Sequence, residues 1–313
     1  MTAGIVIAVI GSFAFAAAAV LQALGADQVA QRAAVREERR QSSKAHPSLR
    51  STVATMLTVP FLVGFVFDIV GFVATILSAR LIPLFLSQTI ISARLVATAL
   101  LAMVVLHVRL AVRDWIAGTV VVVSLVLLAV SAGREGTDNE RWMHWVVLIA
   151  GPILFGLGLM CMRMLHKHIA AATGLMAGAV FGIMAIASRI VDGLDDVDLV
   201  AMFTDPALYA LLFSGMGGFY LFTVALQTGS VNGAAAALVV GQTVLPGAVG
   251  IVFLGDVTRA GWGPVAVIAF VAAVAGGVAL ASSGAVTAVE SADATNMPTG
   301  YGHPPREARR MVE

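Results

Sequence analysis

The chain has 313 residues, of which 59% are hydrophobic and only 12% charged, with a mean hydropathy of +0.94. A soluble domain carries about twice that charged fraction. The net charge of +1 gives no electrostatic case for a nucleic-acid partner, and the single cysteine, Cys161, excludes an internal disulfide.

Apolar windows set against charged breaks predict nine membrane spans, in chain order 3–24, 53–77, 81–106, 115–132, 144–162, 169–189, 207–228, 231–254 and 261–282. The first lacks a basic start and is followed by charge, so it reads as a retained helix rather than a signal peptide. After it, residues 25–52 hold Arg32, Arg36, Arg39, Arg40, Lys44 and Arg50, as an amphipathic surface helix or a solvated loop. The third span is followed by Arg109 and Arg113, the fifth by Arg163 and Lys167. The 190–206 loop instead carries Asp192, Asp195, Asp196, Asp198 and Asp205, with no basic residue. Basic loops stay in the cytoplasm. The expected topology in the cell membrane therefore has the N-terminus outside and the C-terminus inside. Trp115, Trp142, Trp145 and Trp262 fall at span ends, as interfacial anchors do. Residues 284–313 read as a disordered cytoplasmic tail.

A weak internal repeat accompanies this pattern. Gly71–Phe72 recurs at Gly218–Phe219 and Trp115 at Trp262, both 147 residues apart. Spans two to four would then match spans seven to nine in opposite orientations, an inverted repeat of the kind secondary transporters use. The expected organisation is an all-α membrane protein of two inverted halves (4+5 helices), 1–132 and 133–283.

Intramembrane polar residues are the candidates for chemistry. Asp68 stands alone in "VGFVFDIVGF". A carboxylate at mid-bilayer costs about 2.5–3.5 kcal/mol on insertion scales and usually has a task. It reads as a ligand for a proton or cation, or as a structural acid paired within the bundle. Arg94, mid-way along the third span, is its expected ion-pair partner or the holder of an anionic substrate group. Gln88, Tyr220, Gln227, Asn232 and Gln242 are the amides and phenol expected to line a central cavity, or else to bond neighbouring helices. Pro60, Pro83, Pro152 and Pro246 mark breaks or kinks, and "GQTVLPG" at 241–247 sits deep inside the eighth span. His107, His144, His166 and His168 fall at span ends. No Ser/His/Asp set, nucleotide-binding loop or Cys/His metal spacing stands out, so neither an enzyme nor a bound cofactor is expected.

The second-half run "FYLFTVALQTGSVNGAAAALVVGQTVLPGAVGIVFLGDVTRAGWGPVAVIAFVAAVAGGVAL" resembles the terminal helices of the drug/metabolite transporter (EamA-like) superfamily. That family usually has Glu where Asp256 stands. The segment "DIVGFVATILSARLIPLFLSQ" (68–88), with nine spans and a basic first loop, is similar to the NIPA-type magnesium transporters. This chain departs from them at Arg80, Arg94 and Gly71. The resemblance implies a secondary transporter working by alternating access, coupled to an ion through Asp68. Its partners would be a small-molecule or ion substrate and membrane lipid, in a monomer or homodimer. The alternatives are a divalent-cation carrier, with Asp68 as metal ligand, and an exporter or flippase of an anionic or lipid-linked metabolite.

Overall fold

The computed structural model describes residues 1–38, 58–105, 110–136, 139–164, 169–194, 198–228 and 231–282, without the side chains of 25–38, 227, 228, 231 and 232. The rest of the basic loop, His107, the 166–168 histidines and the tail lie outside these. Among the described residues the chain is helical: α1 Thr2–Glu38, α2 Val59–Leu81, α3 Leu84–Ser92, α4 Arg94–Val105, α5 Val112–Ser131, α6 Arg141–Met164, α7 Ile169–Ile190, α8 Leu199–Thr204, α9 Pro206–Thr228, α10 Val231–Val252 and α11 Gly263–Ala281. Counting α3 and α4 as one span, nine are long and apolar enough to cross a membrane. Val66, Val123, Ile149, Met216 and Val267 are all more than half exposed. So large an apolar girdle has no place in water. This is a multi-pass membrane protein.

Without a hydrophobic drive between helices in lipid, close backbone approach decides which ones pair. Helix α7 carries Gly174, Gly178 and Gly182 one turn apart, and α10 lies directly on that stripe. A β-carbon at Gly174 would collide with the Ala234 carbonyl, and one at Gly178 with the Leu238 carbonyl. The α1–α2 pair is joined through Gly11, Gly64 and Gly71. There the ring of Phe15 on α1 lies flat on Gly71 of α2. The ring of Phe181 on α7 rests in the same way on Gly218 of α9.

Helix α3 occupies the centre, and all nine of its residues are buried. It touches α1, α2 and α5 and, from later in the chain, α7, α10 and α11. At one end of the bundle gather the described parts of the linkers, 82–83, 132–136, 139–140, 191–194 and 253–262, with Glu135, Glu140, Asp192 and Asp256 among them and Asp205 beside them. Two of them pair briefly as antiparallel chains, Ala132 against Thr258, with Gly133 N–H donating to Val257 O at 3.0 Å and Arg259 N–H to Ser131 O at 2.8 Å. At this end the segment after α5 is thereby joined to the segment before α11.

Three expectations change. The third span, expected unbroken over 81–106, is two helices with a turn at Ala93. The second runs on to Leu81, so Arg80 lies inside a helix. The acidic 190–206 loop holds the short helix α8, whose Asp198 side chain accepts from the Val200 and Ala201 N–H groups.

The α7–α10 stripe is the test of this packing. Gly178→Val should lower the melting temperature in detergent sharply or abolish folding. Gly156→Ala should leave it within a degree or so, because a β-carbon there meets nothing within 4 Å. Equal behaviour of the two variants would refute the stripe.

Candidate functional site

The geometry starts at the joint between α2 and α3. Ile82 and Leu84 are fully buried on either side of Pro83, so the last carbonyls of α2 and the first N–H groups of α3 have no water to satisfy them. Charged side chains of the second half do so. The Arg189 Nη1 donates to the Ala79 carbonyl and, at 2.7 Å, to the Ile82 carbonyl. The Asp256 Oδ2 accepts the Leu84 N–H at 2.6 Å. A cation thus sits on a helix C-terminus and an anion on an N-terminus, as the helix dipoles favour. The two ions pair at 3.0 Å with 6% and 0% of their side chains exposed, and both bond the Gly136 backbone. Arg80 answers from α2, donating to the Ser188 and Val191 carbonyls at the end of α7 at 3.2 and 2.8 Å. Each of two neighbouring helices therefore carries the arginine that caps the other.

A second polar group lies at the same end. His144 on α6 is buried with Nδ1 2.6 Å from Asp205 Oδ1 and Nε2 2.7 Å from Asn139 Oδ1. Asn139 donates to the Ile190 carbonyl and to Asp192 Oδ1, both at 3.1 Å. Asp205 accepts the Asp192 N–H at 2.6 Å and the Ala207 N–H at 2.8 Å, closing the start of α9.

At mid-span the chain is interrupted again, at Ala93. Its N–H is shared between the Thr89 and Ile90 carbonyls at 3.1 Å, and its carbonyl takes the Val96 N–H at 2.9 Å, a tighter turn than an α-helix makes. Ser92, just before the turn, bonds Thr243 Oγ1 at 3.1 Å and accepts from Gln242 Nε2 at 3.0 Å. These contacts bridge α3 and α10, one from each half. Gln88 lies one turn earlier on the same face of α3. It is 4% exposed, and its Nε2 has no hydrogen-bond partner among the described residues. A narrow cleft opens beside the turn, lined by Thr89, Ser92, Val96, Val121, Thr243 and Gly277. Its free space, about 10 Å³ for the centre of a water, admits one water and no larger solute.

Asp68 lies at the contact between α2 and α1. It lies on the face of α2 that carries Gly64 and Gly71, the two glycines packed on α1. Gln22 Nε2 donates to its Oδ2 at 2.5 Å. It is half-buried, and Phe65, Val66 and Ile69 beside it turn outward. Arg94 is close enough to act electrostatically on the carboxylate, and its guanidinium lies 5.4 Å from the centre of the Phe15 ring. The structure thus brings Asp68 towards Arg94, and Gln88 and Gln242 to the two sides of one seam. Tyr220 stands apart, half exposed on α9 with its ring 6.0 Å from Phe155. The side chains of Gln227 and Asn232 lie outside the described residues.

Sequence reasoning missed Arg189, which was absorbed into the end of an apolar window, and the joint roles of Asp256, Gln22 and Ser92. An arginine in the last turn of a span, matched by Arg80 in another, was a usable signal. The spacing of Gly174, Gly178 and Gly182 was another. No protein-family model, curated protein or solved structure matches this chain.

Removing one member of a buried ion pair strands the other. Arg189→Ala should destabilise the protein by about 3–5 kcal/mol, measured by denaturant unfolding in detergent. A loss below about 0.5 kcal/mol, the range of surface substitutions, would show that the pair does not hold the halves together.

Proposed function

We propose that this protein is a secondary transporter that moves a small polar organic solute through the seam between α3 and α10. One observation carries the reading: the buried amide of Gln88, unpaired among the described residues, beside the Ser92–Gln242–Thr243 group and a mid-span helix turn. A buried donor without a partner costs roughly 1–3 kcal/mol. A transient ligand that takes the bond explains why such a donor is kept. Among the described residues, hydroxyls, an amide and apolar groups line the seam without a carboxylate, which favours an organic solute over a divalent cation. With the acidic end outside, as the basic loops favour, the Arg189–Asp256 lock closes the outward face.

The inverted repeat belongs to the same reading. Gly71 seating Phe15 and Gly218 seating Phe181 support a match of α1–α2 with α7–α9. So does the packing of α1 on α2, α3 and α4 beside that of α7 on α9 and α10. In this scheme, which the drug/metabolite transporter resemblance also favours, one half rocks against the other about α3. Asp68 is the coupling residue. Arg94 directly follows the Ala93 turn, so a change of charge on Asp68 pulls on the turn beside the solute. The 2.5 Å bond from Gln22 favours a second reading, in which Asp68 only fastens α1 to α2.

Proteoliposomes separate these readings. Uptake of amino acids, sugars and phosphorylated metabolites should be driven by a pH gradient for at least one class. Gln88→Leu and Gln242→Leu should cut it at least tenfold with melting temperatures preserved. Asp68→Asn, which can still accept from Gln22, should transport without pH dependence. Wild-type flux in Gln242→Leu would overturn the seam as the route. A pH profile unchanged in Asp68→Asn would leave that residue the fastening role.

A further inference from the structure

The contacts of His144 assign it a proton. Asn139 presents its NH2 to two acceptors, the Ile190 carbonyl and Asp192 Oδ1, so the atom that meets His144 Nε2 is an amide oxygen, an acceptor. On the other side Nδ1 meets a carboxylate oxygen. Both ring nitrogens therefore have to donate, and only the imidazolium has two N–H groups. Asp205 already accepts two backbone N–H groups, which suits the carboxylate and leaves the proton on the ring.

We infer that His144 is a proton-binding site that locks the acidic end of the bundle when occupied and loosens it when empty. Loss of the proton leaves Nδ1–H on Asp205 and turns a bare Nε2 lone pair towards the Asn139 oxygen. Two acceptors at 2.7 Å repel. Asn139 relieves this only by rotating its NH2 to the ring, which breaks its bonds to Ile190 and Asp192. The freed Ile190 carbonyl lies at the end of α7, one residue from Arg189 and flanked by the carbonyls that Arg80 caps. Deprotonation is thereby felt at the joint that holds the two halves.

Among the described residues the charged groups around the ring are as follows. Asp205 and Asp192 face it from the linkers bounding α7 and α9. Glu140 is taken by the Trp142 Nε1–H at 2.5 Å, Arg141 is exposed, and Arg189 turns to Asp256. Asp138, Asp195 and Asp196 lie outside the described residues. His144, Asp192 and Asp205 bring one ligand atom each within 4.8 Å of one another, a grouping a metal ion also uses. At 2.6 Å the His144–Asp205 contact is closed by a shared hydrogen, and Asp192 already accepts from Asn139. The geometry fits a proton.

The inference does not depend on the transport reading, because its readout is stability. With the ring charged, Asn139 keeps its bonds to Ile190 and Asp192, so the charged form is the one that holds this end of the fold together. The melting temperature of the purified protein in detergent, with EDTA present, should fall by roughly 3 °C or more between pH 5.5 and 8.5. His144→Gln, which keeps one donor and one acceptor, should be less stable at pH 5.5 and should lose that slope. Nitrogen-15 spectra of histidine-labelled wild type should show one imidazole with both nitrogens protonated at pH 6, absent from His144→Gln. A neutral ring at pH 6, or the same slope in His144→Gln, overturns the proton site. Stabilisation by zinc in EDTA-free buffer, lost in His144→Gln, replaces it with a metal site. If that variant does not fold, Asn139→Ala, which removes the acceptor at Nε2, takes its place for both the assignment and the slope.

Discussion

Everything at the acidic end follows from one rule of membrane interiors, that no backbone polar group is left without a partner. The α2–α3 joint breaks the rule locally, because Pro83 interrupts a helix in a place sealed from water. Arg189 and Asp256 restore it from the far half of the molecule, one on the stranded carbonyls and one on the stranded N–H. Satisfying the helix break thus ties the α2–α3 joint to α7 and to the segment before α11. Arg80 repeats the logic in the other direction.

This arrangement gives α3 an unusual position. One end is fixed by charges from the second half, and the other stops at Ala93, where the backbone tightens and Arg94 begins a new helix. Between these ends α3 contributes Gln88 and Ser92 to the seam with α10. In the proposed transport cycle, a short helix anchored at one end and ended by a turn at the other would transmit motion between the two parts of the bundle. The polar seam lies along it, and the Asp68–Arg94 group sits just beyond its hinge.

Much of the architecture was legible in the chain. Each of the nine spans is present, because about 20 consecutive apolar residues have few other uses. Gly71 and Gly218, which the sequence offered only as anchors of a repeat, each lie under a ring that the pattern did not name, Phe15 and Phe181. The placement of Asp68 was less legible. A lone acid advertises a polar partner, but the sequence does not say which helix supplies it, and Gln22 is 46 residues away.

The sequence by itself determined the solvent, the number of crossings and the helical class, because hydropathy and backbone satisfaction in lipid depend on composition along a local window. Only the tertiary structure decided which charges meet. Arg189 and Asp256 are 67 residues apart and His144 and Asp205 are 61 apart. Their burial is tolerable only because folding brings each to groups stranded elsewhere in the chain. Partner choice of that kind is set by packing in three dimensions, where glycine stripes and a proline break fix which helix ends come together.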